Sequence, residues 1–443
     1  MFDCIIIGGG ISGISTFIEL HNKKNNVILL ESRPFLGGRA RSYIDPISND
    51  EIDNGQHILM NCYDSFLDLL EKIGSSNLIL SQKKMQVSFV SKDKKNINSF
   101  KKHSLHQSFF ANNLGTLIGL LQFSAFNLSE KLSLISFMLG LKINKPKAIE
   151  TVSEYLQRRK VSAKLIEWLF EPITLATLNS PINIASAKLL TTVLTKALLS
   201  GGNRSAFVIP SKGLSNIFLN SEALSHHSKT SVTVKSINKV NDSFIVIDSN
   251  EEVYHSKSVV LATPLSTSKK LLEQLNIKVN INEANSPITS VYLWFDKEVL
   301  TEIEEPFFGL IGTLSQWVFN KYKIEPTTSS FAKSLLSIVI SASEETMTLT
   351  KEQLVHTIYK ELSSLFPSIT TSNLLHSVVI KEKKATFLST PTFELERLRT
   401  SISYNGIFLA GDWTNTGLPA TLEGASLSGI NASNEVQNYL QLL

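Results

Sequence analysis

The chain contains 443 residues, of which 42% are hydrophobic and 19% are charged, with a formal net charge of +4 at pH 7. This length exceeds what one hydrophobic core serves and favours two domains, and the apolar fraction excludes a disordered chain. The small net charge and the lack of long lysine or arginine runs argue against nucleic acid as a partner.

The first segment of the chain predicts a nucleotide-binding βαβ unit. Phe2–Ile7 is an apolar run typical of a strand buried in a parallel sheet, and it ends in G-x-G-x-x-G. In this motif Gly8 permits a tight turn, Gly10 lets a pyrophosphate approach the backbone, and Gly13 lets the next helix pack closely. The N–H groups that open the helix would face the phosphates. The phosphate-binding residues predicted here are Gly8, Gly10, Ile11, Ser12 and Gly13.

A second strand and an acidic residue complete the unit. Residues 14–22 are compatible with a helix, and Val27–Leu30 is a second apolar strand that leads into Glu31. At this spacing from the glycines, a carboxylate can accept hydrogen bonds from the ribose hydroxyls and would repel a 2′-phosphate. This order of elements, with the glycines after the first strand and the acidic residue after the second, favours a dinucleotide site over an ordinary glycine turn.

Residues 31–42 indicate which dinucleotide binds. This segment resembles E-x-R-x-x-x-G-G-R-x-x-S, a pattern of the flavoprotein superfamily that includes amine oxidases, protoporphyrinogen oxidases and phytoene desaturases. The resemblance implies FAD. In this reading the paired glycines lie on the flavin side of the cofactor, and the planar guanidinium of Arg39 binds the negatively charged pyrophosphate. The residues expected at the cofactor are Glu31, Ser32, Arg33, Gly37, Gly38, Arg39 and Ala40.

The segment D-N-G-Q-H, Asp53–His57, holds the first catalytic candidate. Gly55, Gln56 and His57 would face the flavin ring if this loop returns to it. A single histidine is more often structural than catalytic, so both interpretations of His57 stay open. The same segment resembles the squalene-associated FAD-dependent desaturases, which are the hydroxysqualene dehydroxylases of hopanoid synthesis. In that reading His57 or Tyr63 would help the leaving hydroxyl depart as water.

Residues 75–200 carry no glycine-rich or metal-ligand motif, and we predict that they are mainly helical. Phe109–Leu128 is an uncharged run of twenty residues, but its asparagines, glycines and glutamine argue against a membrane-spanning helix. We interpret it as a pocket-lining or membrane-dipping helix that forms a cavity rim with Leu132–Leu141; a buried core helix is the alternative. The cations expected to face anionic headgroups are Lys101, Lys102, His103, Lys142, Lys145 and Lys147.

The central part of the chain is expected to return to the nucleotide domain. Pro210–Leu214 resembles the superfamily's P-x-x-G-L turn, and a strand over Thr230–Ile237 follows. The resemblance implies that Val234 contacts the adenine through its backbone, although the residues alone indicate only a strand valine. Ser258–Pro264 resembles the V-V-L-A-T-P segment, whose turn lies near the flavin and brings Thr263 to the cofactor.

Residues 265–389 predict the sheet of a substrate domain. Ile288–Phe295 and Ser334–Ser341 are apolar runs rich in β-branched residues and predict strands, and Lys351–Phe366 predicts a helix. A large sheet covered by helices gives room for a long apolar cavity. Lys381–Phe387 again resembles the dehydroxylases, although its residues alone indicate a charged strand edge.

The C-terminal segment is expected to close the cofactor site. Gly406–Asp412 predicts a strand ending in Gly-Asp, and a helix is predicted from about Ala420 to the mid-430s. Residues 411–425 closely resemble the G-D-W-T-x-T-G-x-P-A-T-x-E-G-A ending of the dehydroxylases. The resemblance implies that Asp412 lies near the ribityl and pyrophosphate groups and that the helix N-terminus faces the flavin. The residues assigned here are Gly411, Asp412, Thr421, Leu422 and Ala425.

Together these segments predict an α/β fold of the amine-oxidase type, in which a Rossmann-type FAD-binding domain is interleaved with a substrate domain of mixed sheet and helices. The FAD-binding parts would be residues 1–74, 201–264 and 390–443. The substrate parts would be residues 75–200, helical and membrane-facing, and residues 265–389. The resemblance spans essentially the whole chain and implies reductive dehydroxylation of hydroxysqualene to squalene. The alternatives are a phytoene-type desaturase or amine-oxidase-like dehydrogenase, and a redox-inactive flavin scaffold.

The partners and the location follow from further features of the sequence. No second G-x-G-x-x-G offers a nicotinamide site, so we expect an external electron donor. We expect FAD to be bound non-covalently, because no cysteine lies near the C-terminal loop, and we expect no metal. Cys4 and Cys62 cannot form a disulfide framework, and the short N-terminal apolar run is not a signal peptide. We therefore predict a cytoplasmic protein. The resemblance implies an isoprenoid lipid substrate, and for such a substrate we expect the protein to be peripheral to the inner face of the cytoplasmic membrane.

Overall fold

The computed structural model describes most of the chain. The described residues are 1–92, 100–106, 118–119, 121–198, 203–218, 221–326, 330–402 and 404–443. They form an α/β fold with two seven-stranded sheets, which confirms the predicted fold class. The division into five domain segments stays a prediction.

The first sheet is built around Phe2–Ile7. This strand runs parallel to Val27–Leu30 on one side and to Val253–Leu261 on the other, and Cys4, Ile5 and Ile6 are fully buried. The central buried strand predicted from the sequence is therefore confirmed. In spatial order the strands are Ser228–Lys229, Val27–Leu30, Phe2–Ile7, Val253–Leu261, Ser243–Asp248 and Val234–Val240, and Ile407–Leu409 also pairs with Val253–Leu261.

Two helices from opposite ends of the chain pack together on this sheet. They are Ile11–Asn22 and the C-terminal helix Leu422–Leu440, which extends beyond the predicted mid-430s. A Cβ atom on Gly429 would lie 2.3 Å from the backbone oxygen of Ser12, so only glycine permits this approach. The Thr16 hydroxyl donates to the Gly429 carbonyl at 3.1 Å. This contact places the C-terminal helix beside the glycine-rich turn.

The second sheet contains the predicted strands of the substrate domain. Asn285–Phe295 and Ser334–Ser341 are strands, in agreement with the prediction, and they pair antiparallel. Helix Lys351–Leu365 buries Leu354, Ile358 and Leu362 against one face of the sheet. In spatial order the strands are Leu374–Phe387, Asn285–Phe295, Ser334–Ser341, Trp317–Asn320, Phe307–Ile311, Gln86–Lys92 and Phe100–His106.

The predicted helical character of residues 75–200 is wrong for their first part. Ile79–Ser81, Gln86–Lys92 and Phe100–His106 are strands, and the latter two form an edge of the second sheet. Gln86–Lys92 pairs in parallel with Phe307–Ile311, a partner that local sequence patterns do not reveal. Half of Phe109–Leu128, residues 109–117 and residue 120, lies outside the described residues. The helical turns that follow are Leu128–Leu139, Val152–Arg158, Ala163–Leu165, Ile166–Phe170, Glu171–Leu178, Ala187–Val193 and Leu194–Leu198.

Shorter elements connect the two sheets. A two-stranded sheet joins Ser42–Ile44 to Glu51–Asp53, and a three-stranded sheet combines Leu59–Met60, Ile79–Ser81 and Phe207–Pro210. Further helical segments are Asp64–Lys72, Ser76–Leu78, Leu214–Phe218, Glu222–His227, Leu265–Glu273, Lys321–Ile324, Glu344–Thr348, Pro367–Thr370 and Pro391–Glu396.

Candidate cofactor and substrate site

A large cavity of about 860 Å³ is lined by residues of both sheets. All but one of the residues that the sequence assigned to the cofactor line it, as do both catalytic candidates, His57 and Tyr63. The exception is Gly13, which lies just behind the wall in the first helix. The cavity thus brings together segments from the two ends and the middle of the chain, and the contribution of each residue to binding stays a prediction.

The glycine-rich turn leaves space where a phosphate group is expected. A Cβ atom on Gly13 would lie 1.9 Å from the Gly8 carbonyl oxygen, because helix and strand are in close contact there. A Cβ atom on Gly10, in contrast, would meet no protein atom within 4 Å. No side chain caps the helix at Gly10. Its first N–H groups are therefore suited to bind a phosphate.

Glu31 has two tasks in this structure. Its buried carboxylate accepts hydrogen bonds from the N–H of Gly9 at 2.6 Å and from the N–H of Arg33 at 2.7 Å. It therefore fixes the glycine-rich turn, and its oxygens keep further acceptor capacity for ribose hydroxyls. The Glu31 carbonyl also accepts the N–H of Val232, at 2.8 Å. This bond brings Val234 to the cavity, where the observed strand begins, four residues later than predicted.

Arg39 and Asp412 form an ion pair across the cavity wall. The guanidinium donates to Asp412 Oδ1 at 2.7 Å and to the Ala385 carbonyl at 2.8 Å. The Asp412 carboxylate raises the pKa of the Arg39 guanidinium. Arg39 nevertheless keeps 46% of its side-chain surface exposed, so its remaining N–H groups are available to an anion. The geometry fits a guanidinium that is held at one end and binds a phosphate at the other.

The part of the cavity next to the second sheet is mainly apolar. Trp317 and Phe319 come from one strand, and Val339 comes from the strand paired with it. This apolar wall can enclose a hydrocarbon and exclude water. The lining residues of this part include Ile58, Ala176, Thr177, Ile288, Trp317, Phe319 and Val339.

Comparison with known proteins supports the flavoprotein relationship that this geometry suggests. Residues 11–437 match the family described as flavin containing amine oxidoreductase. The chain belongs to this family. FAD is accordingly its cofactor, and the open space at Gly10, the uncapped helix and the half-exposed Arg39 fit a dinucleotide.

Three relatives of known name align along nearly the whole chain. A hydroxysqualene dehydroxylase of Zymomonas mobilis is 24% identical, with 97% of each chain covered. One of Sinorhizobium fredii is 26% identical, again with 97% of each chain covered. A 15-cis-phytoene desaturase of an Oncidium hybrid cultivar is 25% identical over 100% of this chain and 79% of its own length.

Solved structures show the same fold at lower sequence identity. A putrescine oxidase variant has a TM-score of 0.72 and 13% identity over 99% of each chain. An oxidoreductase of Methanosarcina mazei also has a TM-score of 0.72 and 13% identity, over 96% of this chain and 98% of its own. These similarities confirm the amine-oxidase-like architecture.

Within this flavoprotein fold, the two catalytic candidates are both neutral but offer different hydrogen-bonding groups. His57 Nδ1 lies 2.6 Å from the Gly55 carbonyl oxygen, which only accepts, so Nδ1 carries the proton and Nε2 is an acceptor. Burial lowers the pKa of His57, so the ring is neutral at pH 7. Burial raises the pKa of Tyr63, whose hydroxyl therefore stays protonated and can donate a hydrogen bond. Their catalytic roles stay predictions.

Sequence reasoning missed buried charged residues that hold the loops of the site. Arg397 is only 4% exposed and donates to the backbone carbonyls of Asp412, Thr414 and Leu418. It thereby fixes the loop that follows the Gly-Asp turn. Glu423 accepts the N–H of Phe66 at 3.0 Å, which ties the C-terminal helix to helix Asp64–Lys72. Arg397 stands in no recognisable motif, and the C-terminal block that contains Glu423 gave no indication of this contact.

Proposed function

We propose that this flavoprotein reductively removes the hydroxyl group of hydroxysqualene and releases squalene. The observation that carries the proposal is the D-N-G-Q-H segment on the wall of a cavity whose far part is apolar. Two relatives named hydroxysqualene dehydroxylase align over 97% of the chain and add support. A C30 isoprenoid needs such a cavity, because its hydrocarbon chain is excluded from water.

In the proposed reaction a C–O bond is replaced by a C–H bond, and the oxygen leaves as water. Reduced FAD, when bound, supplies the hydride. The apolar wall excludes water, so that a carbocation formed on the substrate meets hydride before it meets a competing nucleophile. The faces of Trp317 and Phe319 can stabilise this positive charge. The protonated Tyr63 hydroxyl is the candidate donor to the departing oxygen, and neutral His57 is an acceptor.

The rival function is desaturation of a carotenoid precursor, with hydride moving from substrate to flavin. It is favoured by the 25% identity to a 15-cis-phytoene desaturase. The two functions can be separated by incubating the protein anaerobically with reduced FAD and hydroxysqualene, or with oxidised FAD and phytoene, and analysing the extracted lipids. Formation of squalene from hydroxysqualene, without desaturation of phytoene, supports the proposal. Desaturated phytoene without squalene formation refutes it.

We also propose that the protein docks on an anionic membrane surface, from which the lipid enters the cavity. Helix Leu128–Leu139 buries Leu134, Phe137 and Met138 and leaves leucines on its opposite face exposed. Residues 128–149 contain four lysines and one glutamate, which complement anionic headgroups. The exposed apolar side chains of this surface are Leu128 at 71%, Leu132 at 57%, Leu139 at 67% and Ile143 at 84%.

This arrangement refines the predicted membrane rim. Lys102 pairs with Glu305 at 2.9 Å, so it is engaged within the protein rather than directed only at headgroups. None of the helices in the described part of the chain is long and apolar enough to cross a bilayer. Each leucine transferred into the interface contributes about 1.5–3 kcal/mol, so two or three suffice for reversible binding.

Flotation with anionic vesicles tests the membrane proposal. We expect Leu132→Asp combined with Leu139→Asp to abolish flotation, because both side chains are exposed on the docking face. Leu375→Asp is the matched control, since Leu375 is also exposed, at 45%, but lies on the second sheet. If the double variant floats as well as the control, this face is not the docking surface. Detergent should release the wild type from membranes better than salt.

A further inference from the structure

An amide group on the cavity wall lacks half of its hydrogen bonds. Gln56 lines the cavity, but only 7% of its surface is exposed. Its Oε1 accepts a hydrogen bond from Lys321 Nζ at 2.9 Å. Its Nε2 finds no partner within the described part of the chain. A buried N–H group without a partner is costly, so such groups in native proteins usually meet a ligand or a water.

The orientation of this amide follows from the chemistry of its neighbour. An ammonium group only donates hydrogen bonds, so the atom that faces Lys321 must be the amide oxygen. The NH2 group is then directed away from Lys321. With Lys321 in place, Gln56 therefore keeps an unpaired donor on the side away from the ammonium group, and it cannot reverse its two ends without placing NH2 against that group.

Lys321 is itself held rigidly between two parts of the fold. It is 6% exposed and opens the short helix Lys321–Ile324, directly after the strand that carries Trp317 and Phe319. Its ammonium group lies 3.6 Å from Asp53 Oδ2. The other oxygen of Asp53 accepts from the Ser42 hydroxyl at 2.6 Å and from the N–H of Leu214 at 3.0 Å. The lysine thus links the second sheet to the D-N-G-Q-H loop.

We propose that Gln56 Nε2 donates a hydrogen bond to an uncharged acceptor bound in the cavity, and that Lys321 is the positioning residue that aims it. The acceptor is either a ring atom of the flavin or the hydroxyl oxygen of the substrate. The substrate hydroxyl as acceptor rests on the proposed function, whereas the flavin ring atom does not. Either acceptor completes the hydrogen bonds of a buried amide and explains a lysine buried next to the cavity.

Gln56→Glu is the sharpest test, because it keeps the shape of the side chain and its contact with Lys321. At pH 8 the carboxylate accepts from Lys321 but cannot donate to the cavity. If the flavin is the acceptor, FAD binding should weaken about ten- to hundredfold and the visible flavin spectrum should shift. If the hydroxyl is the acceptor, FAD affinity should be unchanged and the KM for hydroxysqualene should rise by a similar factor. The melting temperature should stay near that of the wild type in both cases.

Lys321 is tested separately, with Lys321→Arg as the conservative variant. Lys321→Met should change the same readout as Gln56→Glu, and Lys321→Arg should restore it at least in part. Lys321→Met also leaves Asp53 buried without a cation and could unfold the protein, so the decision rests on Gln56→Glu. Unchanged FAD affinity, flavin spectrum and KM in Gln56→Glu would overturn the proposal and assign Nε2 to a structural water. A protein inactive on hydroxysqualene can still be tested through the two flavin readouts.

Discussion

Gly10→Ala should separate cofactor binding from folding. A methyl group at Gly10 meets no protein atom within 4 Å, and the backbone φ of −74° is open to alanine. The apoprotein should therefore tolerate the change. The methyl group would project into the space where the pyrophosphate is expected, and it would hold the phosphate away from the N–H groups that open helix Ile11–Asn22.

The two effects differ in size. Alanine restricts the unfolded chain, which stabilises the protein by about 0.4–1 kcal/mol, but it is a poorer helix N-cap than glycine by roughly the same amount. The free energy of unfolding of the apoprotein should thus change by less than about 1 kcal/mol. The loss of one hydrogen bond to a charged phosphate costs about 1.5–3 kcal/mol, which corresponds to a Kd for FAD that is about tenfold to 150-fold weaker.

The assay is titration of the deflavinated protein with FAD, in which binding is monitored through the quenching of flavin fluorescence. Thermal unfolding of the apoprotein is measured alongside. Gly13→Ala is the contrasting variant. Its Cβ would lie 1.9 Å from the Gly8 carbonyl oxygen, so it should lower the melting temperature of the apoprotein as well. If Gly10→Ala binds FAD as tightly as the wild type, the pyrophosphate does not approach Gly10, and the placement of the cofactor in this cavity is wrong.

Four further outcomes are expected. Glu31→Ala should reduce FAD retained on gel filtration, because the carboxylate serves the ribose and the N–H of Gly9, and unchanged flavin content would contradict the ribose assignment. Acid precipitation should leave FAD in the supernatant, and a yellow pellet would contradict non-covalent binding. NADPH should reduce the enzyme slowly and without saturation, and fast saturable reduction would contradict the expected lack of a nicotinamide site. Hydrogen bonds from Arg158 lower the pKa of Glu150 in the folded protein. The stability that these bonds add to the folded protein is therefore complete above about pH 4.5 and is lost as the pH falls toward the lowered pKa of the folded state. Glu150→Gln should flatten this part of the stability profile measured by urea unfolding, and an unaltered profile would exclude the pair as its cause.

The sequence by itself determined the nucleotide-binding unit and the apolar strands. The strand Phe2–Ile7, the glycines and the helix after them are contiguous, so their geometry depends on local backbone preferences that residue patterns record. The same holds for Asn285–Phe295 and Ser334–Ser341, whose β-branched residues favour strands wherever they pair. The C-terminal turn and helix were also recognisable, because their residues form one continuous block.

Only the tertiary structure decided which distant residues meet. Gln56 and Lys321 are 265 positions apart, and Arg39 and Asp412 are 373 positions apart. The contact between Gln56 and Lys321 depends on how the two sheets pack, which no periodicity or motif records. The resemblance placed Arg39 and Asp412 near the same pyrophosphate, but only the tertiary structure shows their direct ion pair. Gln86–Lys92 was not predicted as a strand, although it pairs antiparallel with the nearby Phe100–His106. Its other partner, Phe307–Ile311, lies more than two hundred residues further along the chain and places it in the second sheet. The burial of Lys321 follows from this packing, which places an ammonium group between Asp53 and Gln56 where the sequence alone shows an ordinary surface lysine.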